Sequence, residues 1–441
     1  MKKVLLGMAA MAFCLNGYGQ TMDPAVYEPV EGYALVNLWN RSAKTMDLPE
    51  QLTSAWGTSR GMAYLNGKIY LCNRSATAGA NHELLVFNAH NGEFMKKTTL
   101  SGEVGTASLG ANDIVIDDAG HMLICPIAVN TEGFNLKVWR VNPETGEQIA
   151  KVLDFTDATG VMTPKWRIDC IDVYGDITKD GIIMAAVAEK NFVVKWNFVN
   201  GVAQAPVIIE IQKYPIINKT PVENNGTAPR VTIIDDNLFY LDGFTGYATV
   251  YDADGVLIEE LDQETSHLVA PGNNGVDEFE LNGKRFVVYA MSNTDKSPAM
   301  GWNIAELGEG GSFNGMKFYF QFPEQGLGSN SNPGRTAVPR IEVKNNVAHI
   351  YIYGPANGLA AYKFGTIEAG IDAAMADKYS VTVQDGLITA TGASALEVYS
   401  IDGKLITSAD ADNVAAPESK GLYIVKVKMT DGMKAQKIVI E

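Results

Sequence analysis

The sequence predicts an all-β protein: a six-bladed β-propeller followed by a small C-terminal Ig-like β-sandwich. Three observations predict it. Between residues 60 and 364 there is almost no helical periodicity, only short apolar runs between turn signals. These runs recur in a fixed order at a spacing suited to four-stranded repeats. After Phe364 the pattern changes to alternating strands separated by Asp-Gly turns.

The repeat is set by its first runs. These are Arg60 to Leu65, Asn112 to Asp117, Arg167 to Val173, Pro229 to Ile234, Val276 to Leu281 and Pro339 to Val343. A turn follows each, as at Asn66-Gly67, Asp235-Asp236-Asn237, Asn282-Gly283 and Asn345-Asn346. Such residues tolerate the positive φ of hairpin turns. A more hydrophobic run comes next (KIYLC, GIIMAAVA, KRFVVYA), then an aromatic one (ELLVFN, NFVVKWNF, YATVYDA), then in most units a fourth. Unit starts are 46 to 64 residues apart. The last unit has three runs, and an unattached strand, Gly32 to Trp39, stands near the N-terminus. Pairing it into the last unit closes the ring and removes two exposed edges. A seven-bladed ring or a stack of sandwiches is the competing arrangement.

Charge narrows the partners. The 441 residues carry 35 Lys plus Arg against 51 Asp plus Glu, a formal charge of −16. An acidic chain repels nucleic acid and anionic membranes, so neither is expected as a main partner. With 46% apolar and 20% charged residues the chain is globular.

Residues 1–19 read as a secretory signal peptide: Lys2 and Lys3, the apolar run Val4 to Leu15, then Gly17-Tyr18-Gly19 before a cut at Gln20. The run is too short for a ~30 Å hydrocarbon core, so no transmembrane anchor is expected. Cys14 raises a lipoprotein alternative, but bulky Phe13 precedes it. The protein is therefore expected to be secreted or on the outer cell surface, by way of the periplasm. The remaining cysteines, Cys72, Cys125 and Cys170, sit in apolar runs and read as buried thiols, with a Cys72–Cys125 disulfide as the alternative. The propeller is assigned to residues 20–365, a linker to 366–378 and the sandwich to 379–441.

The sandwich carries a resemblance. Leu396 to Lys404 (LEVYSIDGK), Gly421 to Val427 (GLYIVKV) and Lys437 to Ile440 (KIVI) resemble, in order and spacing, the strands of the C-terminal sorting domain of the type IX secretion system. The likeness covers roughly the last 70 residues. It implies a partner, the type IX translocon, and passage through the outer membrane with the tail removed or the protein held at the surface. An ordinary Ig-like module is the alternative. The propeller part looks similar to secreted proteins of uncharacterised function that carry such a tail.

Catalytic motifs are sparse. Gly57-Thr58-Ser59-Arg60-Gly61 fits G-x-S-x-G, but a strand follows where a nucleophile elbow needs a helix. Five scattered histidines lack metal-ligand spacing. Asp252-Ala253-Asp254-Gly255 starts like a calcium loop but lacks its distal acid, so a hairpin turn is expected. No cofactor is expected, calcium being the cation an enzymatic reading would call for.

Topology supplies the site. In a propeller the innermost strands start at one rim of the channel, and their side chains converge there. The matching residues are Arg60, Asn112, Asp113, Arg167, Asp169, Arg230, Asp277, Glu278 and Arg340. The returning strands add Asn73, Arg74, Asp242, Asn293 and Tyr353. Of these, Arg60, Asn73, Arg74, Asn112, Asp169, Arg230, Asp242, Arg340 and Tyr353 are the expected ligand-binding set. Arginine forks suit carboxylates, such as those of uronic or sialic acids. The opposing expectation is that the arginines pair with Asp113, Asp169, Asp277 and Glu278 and pin neighbouring blades. Trp56, Trp166, Trp302, Tyr247 and Phe244 could stack on sugar faces, though aromatics in such folds more often fill the core.

Three functions compete: a binding module for a glycan or peptide; a lactonase-, lyase- or glycosidase-like enzyme in which Asn112, Asp113, Asp169, Asp277 and Glu278 hold a divalent cation or act as acid and base; and a structural or adhesive surface protein.

Overall fold

The hairpins form where the turn residues permit them. Asn66 and Gly67 take φ of 49° and 75°, Asn282 and Gly283 54° and 74°, and Asn345 and Asn346 52° and 57°. Paired left-handed residues match the twist of the flanking strands. Elsewhere an aspartate caps the turn: Asp235 Oδ1 accepts the N–H groups of Asn237 and Leu238 at 2.7 and 2.9 Å. Asp252 Oδ1 likewise accepts those of Asp254 and Val256, both at 2.9 Å, so the calcium-loop look-alike is a turn.

The computed structural model describes residues 27–53, 59–77, 79–129, 135–156, 166–214, 216–217, 220–221, 223–243, 246–259, 275–290, 301–330, 336–366, 381–384, 386–390, 392–400, 403–429 and 432–440. The signal peptide, Trp56, Phe244, Asn293 and nearly all of the linker lie outside the described residues. Contacts divide the chain into two compact units, with the boundary at Phe364 and Gly365; Gly32–Ala34 group with the second.

Among the described residues, the first unit holds six antiparallel sheets of three or more strands. Their first strands are Ser59–Leu65, Asp113–Ile116, Asp172–Gly175, Arg230–Ile233, Val276–Leu281 and Arg340–Lys344. Each pairs with the next strand in sequence, and the sheets build outward from there. The sixth sheet ends on Tyr33–Ser42, paired beyond Gly358–Thr366, so the stray N-terminal strand completes the last unit as expected. Asn37 Nδ2 donates to Ala361 O at 3.1 Å within this pairing. Gly358 (φ 122°) is required there, because a Cβ would lie 2.3 Å from Arg41 O.

Each neighbouring pair of sheets has its own core. Tyr70, Leu84, Ile124 and Trp139 fill the space between the first and second sheets. Leu123, Val138, Ile183 and Trp196 lie between the second and third. Met184, Val193, Phe239 and Leu241 follow, then Tyr240, Val250, Val287 and Tyr289. Phe286, Tyr319 and Phe364 meet edge to face between the fifth and sixth sheets. Trp39, Leu71, Leu85 and Tyr353 join the sixth sheet to the first. The apolar runs of the sequence are thus buried on both faces, sheet against sheet.

The third unit departs from its predicted register. Arg167–Ile168 is a two-residue strand paired with Ala128–Val129, and the sheet proper starts at Asp172. Residues 167–171 cross above the second sheet, where Asn112 Nδ2 donates to Asp169 O at 2.5 Å and Ile171 N donates to Asp113 Oδ2 at 3.3 Å. Of the fourth sheet's expected last run, described residues show only the bridge between Tyr251 and Leu257.

In the second unit two sheets enclose one core. One is Val381–Gln384, Leu387–Ala390 and Asn413–Ala415. The other is ordered Leu405–Ala409, Ala395–Ser400, Gly421–Met429, Gly432–Ile440. Ile388, Leu396, Val398, Val425 and Val427 are buried between them.

Candidate functional site

The first strands lie side by side, and polar atoms at their starts tie each to the next. Gly61 N donates to Asn112 O at 3.0 Å. This contact requires glycine: a Cβ at Gly61 would lie 2.6 Å from Ile114 N and 2.7 Å from Asp113 Cα. Further round, Cys170 Sγ lies 3.3 Å from Pro229 O, and Thr232 Oγ1 donates to Val276 O at 3.1 Å. The sixth sheet returns to the first, with Arg340 Nε donating to Met62 O at 2.9 Å and Tyr64 O–H to Glu342 Oε2 at 2.8 Å.

Two kinds of arginine occupy this rim. Arg230 is buried and reaches across the channel to Asp113, with Nη1–Oδ2 and Nη2–Oδ1 both at 3.3 Å. Arg340 is held by Met62 O and by Pro339 O at 3.2 Å. Its charge faces Asp172 and Asp277. These two arginines pin sheets together, as the opposing expectation had it.

Arg60, Arg74 and Arg167 differ: Arg60 and Arg167 are ion-paired with the single carboxylate of Asp169, and Arg74 lies within reach of its charge. Arg167 holds it from Nε at 3.0 and 2.9 Å and from Nη2 at 2.7 Å. Arg60 Nη1 lies 3.9 Å from Asp169 Oδ1. Burial, with the Arg74 guanidinium next, pushes the Arg60 pKa down to about 10, although Asp169 works the other way. Arg74 is likewise lowered by burial, against the pull of Asp169 and with that of Arg167. Three cations compress around one anion, and Arg167 remains half exposed. A second carboxylate, brought by a ligand, would relieve that crowding.

Arg74 is steadied by its neighbours. His82 is buried and fixes the segment after Arg74: its Nδ1 accepts Ser75 N–H at 3.0 Å, and its Nε2 lies 2.8 Å from Ala107 O. Burial lowers the His82 pKa, and the positive charge of Arg74 lowers it further.

Below the rim the channel is acidic. Burial raises the pKa of Asp172 to about 6, Asp277 to about 7 and Asp242 to about 8. Arg340 partly offsets this at Asp172 and Asp277, and Arg230 does so at Asp242.

Several expected site residues have other places. Tyr353 is buried in the core beside Trp39 and Leu85. Asn112 is a tie between the second and third units. Glu278 is paired with Arg285 at 2.7 Å and belongs to no channel group, because side chains alternate along a strand and Asp277 takes the inner side. The proposed cation set of Asn112, Asp113, Asp169, Asp277 and Glu278 is therefore not assembled. Trp166 and Trp302 are buried core residues. The three cysteines are buried and free, and burial raises each thiol pKa.

Among the described residues one group has metal-ligand spacing, Asp117, His121 and Asp176. Its atoms are already engaged. Asp117 Oδ2 lies 2.9 Å from His121 Nδ1 and accepts Ile177 N–H at 3.2 Å, and Asp176 takes Thr178 and Lys179. It clasps the second and third sheets at the turn ends of their first strands.

Antiparallel sheets that pack face to face, with their first strands around a common channel and the N-terminal strand in the last sheet, define a β-propeller. The chain belongs to the family described as Domain of unknown function (DUF8500), whose model matches residues 67–294. It is similar in fold to a DUF4623 family protein from Bacteroides eggerthii, at 12% identity over 77% of each chain, with a TM-score of 0.57. The WD40 domain of Toxoplasma gondii coronin is less similar, at 13% identity over 78% of this chain and 89% of that one, with a TM-score of 0.41. The extracellular domain of a putative hybrid two-component system from B. thetaiotaomicron gives 13% identity, coverage of 89% and 56%, and a TM-score of 0.35. No curated protein matches. Among the described residues no helix is long and apolar enough to cross a membrane.

Proposed function

We propose that this chain is an exported six-bladed propeller, secreted or held at the cell surface, that binds a carboxylate-bearing glycan or peptide at the channel rim. The observation that carries the reading is the convergence of Arg60, Arg74 and Arg167 on Asp169. Three arginine charges set around one carboxylate make this part of the rim locally positive, and guanidinium forks suit a ligand carboxylate. The six sheets, joined pairwise by six cores, support the blade count.

The export route rests on the sequence. Residues 1–19 supply a secretory leader, and the last 70 or so residues resemble the type IX sorting domain. In that reading the second unit is the Ig-like sorting module, and the translocon is its partner.

Binding is tested by an array of acidic and neutral glycans together with acidic peptides, probed with the full mature chain. The expected result is retention of acidic members only, weakening as salt rises. Retention of neutral members alone would overturn it.

A hydrolase or lyase is the second reading. Asp172 and Asp277 favour it, since their raised pKa values suit proton transfer near neutral pH. Turnover of a bound acidic glycan, abolished in Asp277→Asn, would establish it.

A further inference from the structure

We infer that carboxylate binding at the rim is coupled to a proton on Asp242, so that a ligand anion binds the protonated channel and is released as that proton leaves. This rests on the carboxylate-binding reading above and adds its regulation.

The device is one buried cation set between two buried acids. Arg230 and Asp242 stand directly opposite each other in the first hairpin of the fourth sheet, and opposed residues of an antiparallel pair share a face. Both are buried, with 6% and 3% of their surfaces exposed. Arg230 is already committed elsewhere. Its two Nη atoms meet Asp113 of the second sheet at 3.3 Å, and Nη2 lies 3.5 Å from Thr336 Oγ1. Neither carboxyl oxygen of Asp242 makes a hydrogen bond of normal geometry among the described residues. Burial raises its pKa to about 8, and the Arg230 charge and the Gly275 amide offset this only in part. Near neutral pH the group is therefore an ion pair beside a neutral acid. Loss of the proton leaves a second buried anion to share the one cation.

Asp113 connects this group to the rim. Its Oδ2, which meets Arg230 Nη1, also accepts Ile171 N–H at 3.3 Å, and residues 167–171 carry Arg167 and Asp169. Cys170, in that segment, lies within range of the charges of Arg230, Asp113, Asp169 and Asp242, so the rim carboxylate and the channel acid have a neighbour in common. The other channel charges face counter-charges of their own. Asp172 and Asp277 face Arg340, and Arg60 and Arg74 face Asp169. An extra negative charge on Asp242 thus acts on a ligand anion through a low-dielectric interior, where repulsion is strong. Protonation and ligand binding favour each other by the same factor. Affinity is complete below the Asp242 pKa and is lost as pH rises through it.

The test is calorimetric titration of the full mature chain with galacturonate and with an acidic hexapeptide at pH 7 and pH 9, repeated at pH 8 in two buffers of different ionisation enthalpy. The probe that binds is expected to lose about fivefold or more in affinity from pH 7 to pH 9, and to bring proton uptake at pH 8. Asp242→Asn, neutral at every pH, should bind at pH 9 as the unaltered chain does at pH 7, without proton uptake. Asp277→Asn should keep most of the loss. A carbon-13 titration of the Asp242 carboxyl, which needs no variant, should show a midpoint near pH 8 that rises when the probe is added. Full affinity at pH 9, a loss that survives in Asp242→Asn, or a carboxyl midpoint near the ordinary 3.8 overturns the coupling and leaves the rim reading standing. If neither probe binds at any pH, the rim reading falls and the coupling with it.

Discussion

Arg230 and Asp113, 117 residues apart in sequence, face each other across the channel and share two N–H···O contacts at 3.3 Å. They start the first strands of the fourth and second sheets, so the pair spans the third sheet's position in the ring. Both side chains are buried, with 7% and 2% of their surfaces exposed. Breaking such a pair from one side leaves an uncompensated charge. Arg230→Ala should therefore cost about 3–5 kcal/mol in urea unfolding. Removing Asp113 as well should add much less than a second such loss, because the two residues act as a unit. Strict additivity would show that the pair is not a tie.

Channel acids give the fold a pH dependence of definite sign. Asp172, Asp277 and Asp242 have folded pKa values of about 6, 7 and 8, above the ordinary 3.8. The folded chain binds protons more tightly there than the unfolded chain does. The resulting stability is complete below the ordinary value and is lost as pH rises through 6 to 8. Melting temperature should fall between pH 5.5 and pH 8.5, and Asp242→Asn should flatten the upper part of that fall. A rising profile would contradict the burial of these groups.

His82 works in the opposite direction. Burial lowers its pKa, and in the neutral ring Nδ1 accepts Ser75 N–H. The order it brings to the segment after Arg74 is present above the ordinary value of 6.5 and is lost as pH falls through the lowered one. Hydrogen exchange at the Ser75 amide should accelerate on acidification beyond the intrinsic pH effect. His82→Asn, which keeps an acceptor near the Nδ1 position without titrating, should suppress that acceleration.

Much of this was legible from residue order. Hairpin turns such as Asn66-Gly67 and Asn282-Gly283 declare their geometry locally, and the stray strand at Tyr33 pairs where closure of an exposed edge demands it. The third unit differs because Arg167 to Val173 has strand-like composition throughout, with its alternation broken only at Cys170-Ile171; contacts from Asn112 and Asp113, far away in sequence, decide which half enters the sheet. Glu278 was wrongly grouped with Asp277, although the period of two already places neighbours on opposite faces. Arg60 and Arg74 stood out as charges at strand ends. Ser75, Asn81, Glu83 and Lys97 carry no local signal, since the cleft they line beside Arg74 exists only once a loop and a short helix come together.

Export yields a prediction of its own. Removing residues 365–441 deletes all of the second unit but Gly32–Ala34, and with it the strands that resemble a sorting domain. The truncated chain should accumulate in the periplasm of a type IX host and be missing from its surface and medium, as followed by cell fractionation. Surface display of the truncated chain would show that the tail is not the export signal.

The account depends most on where an acidic ligand sits. A crystal structure with galacturonate measures this directly. The prediction is a carboxylate within about 3 Å of guanidinium nitrogens of Arg74 and Arg167, next to Asp169. A ligand bound elsewhere, with those arginines still around Asp169 alone, would contradict it.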